Sequence, residues 1–292
     1  MPPTLALHFG ALGDFVISWP ALGRLAAAAG PAGLHLIGQP AWGRLVLPAG
    51  QVLDRESARF APLFRPDPHP SLDAWLAGFG RAAVFARRPD PVLLARLAAH
   101  IPQVWAIPTR PAPDQARPAG QVQADALAAH GLPPAPPLGL RLPPPITLGP
   151  PVIAPGSGGR AKRLAPELTA GLARRLAGQG RPPLIVLGPA EDRAFRGDLA
   201  RALAAAPAGH SSLADPPLTD LAAALRAAPL YIGADSGVSH LAAAAGARCL
   251  VAFGPSDPAI WAPPGARVRI CGFADLAALA AGGEWPRGFG SA

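Results

Sequence analysis

Residues 229–265 read PLYIGADSGVSHLAAAAGARCLVAFGPSDPAIWAPPG, and this stretch decides the predicted fold. It opens with a short apolar run, residues 230–233, which ends at a glycine, as a buried parallel strand does. The pattern of residues 236–245 is that of a small-residue helix, and a second apolar strand follows at residues 249–253. Strand, turn, helix and strand in this order form the βαβ unit of a doubly wound sheet.

The turn before this helix, residues 234–237, lies at the carboxyl edge of the predicted sheet, where doubly wound folds bind ligands. Asp235 or Ser236 can cap the helix, and Gly237 permits close approach of a ligand to the backbone. Free amides at a helix start attract an anion such as phosphate, and His240, one turn later, adds a donor. Taken singly, these residues are better explained by helix capping and by packing on the sheet than by anion binding.

As a whole, the stretch resembles the nucleotide-sugar half of the ADP-heptose:lipopolysaccharide heptosyltransferase family, glycosyltransferase family 9. The family signature has the form GxDSGxxHLAAAxG, then a strand, then FGPxDPxxWxP. The matching positions here are Gly233, Asp235, Ser236, Gly237, residues 240–243, Gly246, residues 253–255, Asp257, Pro258, Trp261 and Pro263. The resemblance implies an α/β protein of the GT-B fold, with two Rossmann-like doubly wound domains that face a cleft.

The chain has 292 residues, enough for two domains with separate cores. Residues 132–151 are rich in proline, which suits an extended linker better than a helix or a sheet interior. We therefore predict an acceptor-binding domain over residues 1–145 and a nucleotide-sugar-binding domain over residues 146–292. A last helix, predicted at residues 273–281, can return to the first domain.

Lysine and arginine number 26 against 18 aspartates and glutamates, which gives a net charge of +8. A positive surface favours anionic partners such as nucleotides, phosphorylated glycans or an acidic membrane face. The chain has no basic run and no alternation of basic and aromatic residues of the kind that follows a nucleic-acid backbone, so nucleic acid is not expected as a partner.

The two cysteines, Cys249 and Cys271, do not have a metal-ligand spacing and are expected to be reduced core residues. The chain start lacks a secretory signal pattern, and the uncharged residues 25–43 are interrupted by glycine and proline. We therefore expect a cytoplasmic protein that can contact the inner face of the cytoplasmic membrane peripherally.

A second glycine-rich loop, PGSGGRAK, follows a short predicted strand at residues 152–154. Its glycines allow the backbone to approach a phosphate, and Lys162, the only lysine of the chain, supplies a compact positive charge. A lone lysine is commonly a solvated surface residue, but its retention at this loop favours a phosphate contact. Further on, Glu191 opens a helix after another strand, where its charge either complements the helix dipole or binds a ligand.

The resemblance assigns these residues to the donor nucleotide sugar. By analogy with the family, Ser157, Gly158 and Lys162 hold phosphate, and Glu191 hydrogen-bonds the ribose. The sugar and the diphosphate are assigned to Asp235, Ser236, Gly237 and His240. The family usually has an aromatic residue two positions after the lysine, where this chain has Leu164.

In the first domain, a strand over residues 4–9, a turn over residues 10–14 and a helix over residues 15–29 are predicted. The turn does not fit a dinucleotide fingerprint, because GxGxxG requires three glycines. Its Gly13-Asp14 pair resembles the GD motif of the family, whose aspartate acts as the general base on the acceptor hydroxyl. Such assistance contributes about 10²- to 10⁴-fold. A helix-capping role for Asp14 is the alternative.

The sequence thus predicts a glycosyltransferase that moves a heptose-like sugar from a nucleoside diphosphate, ADP by analogy, to a cell-surface glycan, glycolipid or lipopolysaccharide-type acceptor. No D-x-D motif occurs, so we expect neither a metal nor another cofactor, and Lys162, His240 and helix N-termini are expected to neutralise the leaving diphosphate. Two alternatives stay open: a non-catalytic protein that binds nucleotide sugars as a scaffold, and a nucleotide-sugar epimerase of similar fold.

Overall fold

The structure, a computed structural model, describes residues 2–206 and 209–289. The chain divides into two compact units, Met1–Arg141 and Leu142–Ala292. This division lies inside the proline-rich segment 132–151, all of which is described and which carries neither helix nor strand. Within the described ranges, no helix has both the length and the apolar character needed to cross a membrane.

The first unit is built on a parallel five-stranded sheet in the order β3-β2-β1-β4-β5. Its strands are β1 (Thr4–His8), β2 (Leu34–Gly38), β3 (Val52–Asp54), β4 (Arg81–Phe85) and β5 (Gln103–Ile107). Its helices are α1 (Leu12–Ile17), α2 (Trp19–Ala29), α3 (Pro40–Gly43), α4 (Pro70–Leu76), α5 (Pro91–His100) and α6 (Ala119–Ala129). The central strand β1 is completely buried, as its apolar middle, residues 5–7, predicts.

The helix predicted over residues 15–29 is in fact two helices. α1 begins earlier than expected, at Leu12, so Asp14 lies in its first turn and not in the preceding loop. The chain turns at Ser18, which ends α1 and begins α2. Pro20, the second residue of α2, has no N–H to donate, which fits the start of a helix and not its interior.

The second unit has a parallel six-stranded sheet in the order β11-β10-β9-β6-β7-β8. Its strands are β6 (Val152–Ala154), β7 (Leu184–Leu187), β8 (Ser211–Ala214), β9 (Tyr231–Ala234), β10 (Cys249–Phe253) and β11 (Val268–Gly272). Its helices are α7 (Pro166–Gly178), α8 (Arg193–Ala205), α9 (Leu218–Ala227), α10 (Gly237–Ala244), α11 (Pro258–Trp261) and α12 (Phe273–Ala280). Counted from β6, this is the strand order 3-2-1-4-5-6 of the Rossmann fold.

A hydrogen-bond chain in the core joins β9 to α10. The hydroxyl of Ser239 donates to the carbonyl of Ala234 at 2.5 Å and accepts from the fully buried Tyr231 hydroxyl at 2.9 Å. A side chain at Gly233 would meet that hydroxyl, because a Cβ there would lie 2.2 Å from it. The glycine that ends the predicted strand is therefore needed for the position of the Tyr231 ring.

The final helix, for which a return to the first domain was considered, packs within the second unit. α12 lies on α7, where the Cα of Gly171 faces Ala280 so closely that a Cβ on the glycine would be 3.0 Å from the alanine Cβ. Leu276 and Leu279 of α12 are buried in the core of the unit.

His8, at the end of β1, is buried in the core of the first unit between the rings of Phe15 and Phe85. The Ser18 hydroxyl donates to the carbonyl of Asp14 at 2.8 Å and therefore accepts from His8 Nε2, 3.3 Å away. Burial lowers the pKa of His8 from 6.5 to about 4. At neutral pH the imidazole is consequently uncharged.

This burial makes the free energy of unfolding depend on pH. As the pH falls below 6.5, the unfolded chain takes up a proton at His8 that the folded chain does not bind until about pH 4, so stability is lost on acidification. The contribution of His8 between pH 7 and pH 5 is about 2 kcal/mol. In urea unfolding followed by tryptophan fluorescence, His8→Gln should therefore lose about 2 kcal/mol less than the parent over this range. Equal losses in His8→Gln and in the parent would contradict the assignment.

Candidate functional site

The sheet of the second unit changes direction of winding between β6 and β9, which are neighbours although β7 and β8 separate them in sequence. In folds of this kind, ligands bind beyond the carboxyl ends of the two strands at such a point. The loop after β6, residues 155–162, and the turn after β9, residues 235–237, both lie there. These are two of the loops that the sequence marked.

Asp235 is the centre of this cluster. Its carboxylate is only 7% exposed, and its Oδ2 accepts from Lys162 Nζ at 2.8 Å. The same oxygen accepts from the hydroxyl of Ser256 at 2.5 Å. The lysine side chain is 34% exposed, so the positive charge remains accessible from solvent. Lys162 is therefore not a solvated surface lysine but half of an ion pair at the edge of the sheet.

Ser157 connects the β6 loop to the backbone of Asp235. Its buried hydroxyl donates to the Asp235 carbonyl at 2.8 Å, and its own carbonyl accepts from Arg163 Nε at 3.2 Å. The neighbouring Gly158 is exposed, and no atom lies within 4 Å of the position of a Cβ there. Ser157 is thus a structural contact within the cluster, whereas Gly158 leaves open space beside it.

Glu191 lies beside the same loop. Its carboxylate is buried, and Oε2 accepts from the backbone amide of Gly188 at 2.5 Å. A Cβ on Gly156 would be only 1.6 Å from Glu191 Oε1, so only glycine at that position leaves room for the carboxylate. Burial raises the pKa of Glu191 against the opposing effects of the Gly188 amide and two nearby arginines.

The start of α10 carries Ser236 and Gly237. Ser236 is the N-cap residue, and its hydroxyl accepts from the amide of Ser239 at 3.4 Å. Gly237 is the first helical residue, so its amide and that of Val238 have no carbonyl partner in the helix. The predicted cap is present, and it leaves first-turn amides at the same sheet edge as Lys162.

His240 is buried beneath this turn, with the backbone carbonyl of Trp261 as a hydrogen-bond acceptor for its ring. Burial lowers the pKa of His240 to about 4, although the nearby Asp235 carboxylate acts in the opposite direction. The imidazole is therefore neutral at pH 7. It can donate a hydrogen bond to a ligand but carries no positive charge.

Asp14 lies in the first unit, where it occupies the third position of α1 at the carboxyl end of β1. Its Oδ2 accepts from the amide of Ala11 at 3.2 Å, and its backbone carbonyl accepts from Ser18. The side chain is partly exposed. Asp14 thus caps a helix start, the alternative that its position allowed, and its carboxylate is open to solvent as well.

Two residues of the cluster were not predicted. Ser256 occupies an unspecified position of the FGPxDP motif, and its place after the buried strand β10 was the only signal for it. Arg163, next to the lone lysine, donates to the carbonyls of Ser157 and Ala190 and to Asp192 Oδ2, which ties the loops after β6 and β7 together.

Leu164 occupies the position where the family usually has an aromatic residue. It is fully buried in the core of the second unit, and its amide donates to the carbonyl of Pro155 at 2.9 Å. This departure from the family pattern therefore alters core packing and not the exposed surface of the cluster. Among residues 2–206 and 209–289, no group of three histidine, cysteine, aspartate or glutamate side chains could hold a metal ion.

Comparison with known proteins finds a family that the second unit is similar to. The model of "Glycosyltransferase family 9 (heptosyltransferase)" matches residues 148–281, which contain the whole loop cluster. No curated protein matches the chain in sequence. The resemblance that residues 229–265 indicated is confirmed by the family match.

Solved structures resemble both units of the chain. A glycosyl transferase family 9 protein from Veillonella parvula has a TM-score of 0.73 at 17% identity, covering 93% of this chain and 87% of its own. The ADP-heptose lps heptosyltransferase II of E. coli has a TM-score of 0.70 at 20% identity, with 92% and 90% covered. The E. coli heptosyltransferase WaaC, solved with ADP, has a TM-score of 0.67 at 17% identity, with 92% of each chain covered.

At these identities, the structural likenesses show the fold, and they confirm the predicted GT-B class with its two Rossmann-like domains. The family match covers the part of the chain that contains Lys162, Glu191 and Asp235. Residues 148–281 of this chain are therefore similar to glycosyltransferase family 9, the heptosyltransferase family.

Proposed function

We propose that this chain is a metal-independent glycosyltransferase that moves a heptose-like sugar from a nucleoside diphosphate, ADP, to a glycan or glycolipid acceptor of the cell surface. The observation that carries the proposal is the meeting of three loops at one sheet edge. They bring Lys162, Glu191 and Asp235 together, and each comes from the carboxyl end of a different strand. Such an edge is where Rossmann-like domains bind nucleotides.

In the proposed donor complex, the diphosphate lies beside the amine of Lys162 and the first-turn amides of α10. A lysine amine and free helix amides both stabilise phosphate oxygens. Glu191 accepts from a ribose hydroxyl, and Asp235 accepts from a hydroxyl of the sugar. The choice of ADP is supported by the E. coli relative WaaC, which was solved with ADP and with ADP-2-deoxy-2-fluoro heptose.

In the proposed reaction, an acceptor hydroxyl oxygen attacks the anomeric carbon of the sugar, and Asp14 takes up the hydroxyl proton. The bond between the anomeric carbon and the diphosphate oxygen breaks, and the nucleoside diphosphate leaves with the electron pair. Lys162 and the α10 amides stabilise the developing negative charge. His240 takes part only as a neutral donor, because its pKa lies near 4.

The proposed acceptor and the proposed cellular location are both inferred from the net charge of the chain. The net charge of +8 favours an anionic glycolipid, such as a lipopolysaccharide precursor, at the inner face of the cytoplasmic membrane. We accordingly propose a cytoplasmic enzyme that contacts this membrane face peripherally.

Lys162→Ala tests the donor site. Loss of one charge-assisted contact to phosphate should weaken ADP binding about tenfold or more in isothermal titration calorimetry. Arg201→Ala removes an exposed cation of α8 outside the cluster and should leave the affinity unchanged. If ADP binds Lys162→Ala and the parent equally well, Lys162 is not part of the nucleotide site.

The variant Asp14→Asn distinguishes the proposed glycosyltransferase from a non-catalytic protein that binds nucleotide sugars. The change keeps the size and the capping acceptor but removes the base, so donor affinity should stay within about twofold while the transfer rate falls by about two orders of magnitude or more. The exposed Asp114 in the same unit provides a control, since Asp114→Asn should transfer at the parental rate. If Asp14→Asn transfers sugar at the parental rate, Asp14 only caps a helix. If the variant loses donor binding, Asp14 contacts the nucleotide sugar and not the acceptor.

Chelation tests the proposed metal independence. Transfer should proceed at an unchanged rate in excess EDTA, because Lys162 and helix amides perform the charge neutralisation that a metal provides elsewhere. The measurement is release of ADP with and without chelator. Activity that disappears with EDTA and returns with Mg²⁺ or Mn²⁺ would disprove this part of the mechanism.

A further inference from the structure

Ser256 makes a contact for which the proposed mechanism has no use. It lies on the loop after β10, and its partly buried hydroxyl donates to Asp235 Oδ2, the oxygen that also accepts from Lys162. Within residues 2–206 and 209–289, the other oxygen of this carboxylate, Oδ1, accepts no hydrogen bond. Both protein donors therefore hold one oxygen and leave the second for another partner.

The backbone on both sides of Ser256 is fixed independently of Asp235. On one side, Gly254 is pressed against Phe273, since a Cβ there would lie 2.8 Å from a ring carbon. On the other side, the side chain of Asp257 accepts from the amide of Ala259 at 2.8 Å and caps α11. The residues on both sides of Ser256 thus have contacts that do not involve Asp235, and these contacts hold the loop that presents the Ser256 hydroxyl to the carboxylate.

Lys162 has a single amine for two anions when a diphosphate is bound. Its side chain is accessible, so a bound diphosphate competes with Asp235 for the same positive charge. The Asp235 carboxylate is buried and needs a donor that does not leave. Ser256 is neutral, so a diphosphate does not compete for it as it does for Lys162. Its hydroxyl therefore stays hydrogen-bonded to Asp235 Oδ2 when the diphosphate is bound.

We propose that Ser256 is a positioning residue for the donor sugar. It holds the Asp235 carboxylate so that Oδ1 accepts from a sugar hydroxyl while Lys162 binds the diphosphate. This inference rests on the nucleotide-sugar site of the proposed function and not on the transfer step itself. It makes recognition of the sugar, and not of the nucleotide, depend on the Ser256 hydroxyl.

The test compares ADP with ADP-heptose on Ser256→Ala. ADP should bind with affinity within about twofold of the parent, because the nucleotide contacts are intact. Binding of ADP-heptose, and kcat/KM for it, should fall about tenfold or more, as expected for loss of one hydrogen bond to a charged group. Ser256→Thr retains the hydroxyl and should restore both values. Ser211→Ala on the exposed strand β8 is the matched control and should equal the parent.

Two outcomes argue against the inference. If Ser256→Ala binds and uses ADP-heptose like the parent, Ser256 does not position Asp235. If ADP and ADP-heptose weaken equally and Ser256→Thr does not rescue, the role is structural. If Ser256→Ala does not fold, the same comparison is made with Ser256→Cys, whose side chain is similar in size to serine but is a weak hydrogen-bond donor. A parent chain that binds ADP-heptose but does not transfer overturns the proposed enzyme function and leaves this inference standing.

Discussion

The buried carboxylate of Asp235 is the constraint on which the candidate site of the second unit depends. An ionised group removed from water costs several kcal/mol unless charged or hydrogen-bonding partners surround it. Here Lys162 and Ser256 converge on one oxygen, and Ser157 holds the backbone carbonyl. These partners come from the loops after β6 and β10, and Asp235 itself lies in the turn after β9. Neutralising this one carboxylate therefore sets the spacing of three loops along the sheet edge.

Two glycines allow the close approaches that this edge requires. Gly156 makes room for the carboxylate of Glu191, and Gly233 makes room for the hydroxyl of Tyr231. In both places a methyl group would collide with a buried polar group that has its own hydrogen bond. Packing density in the interior leaves no space for such a collision to relax. The glycines therefore position polar atoms here, and neither has a positive φ that would require glycine.

The local sequence pattern predicted which strands and helices form better than it predicted where they begin and end. The strand at residues 249–253 is where the apolar run predicted it, because a buried parallel strand has to be apolar on both faces. The helix of the first domain was predicted as one and is two, because apolar periodicity continues across Ser18. The protonation state of His240 could not be inferred from the local pattern, since desolvation depends on neighbours from several segments.

The sequence by itself determined the alternation of strands and helices, the parallel sheets that this alternation requires, and the loops at strand ends that carry Lys162, Glu191 and Asp235. Only the tertiary structure decided how these residues pair. Lys162 and Asp235 are 73 positions apart in sequence and meet because β6 and β9 are neighbours in the sheet. Burial, and with it the neutral state of His240, likewise arises only when the chain packs, because the surrounding atoms come from distant parts of the sequence.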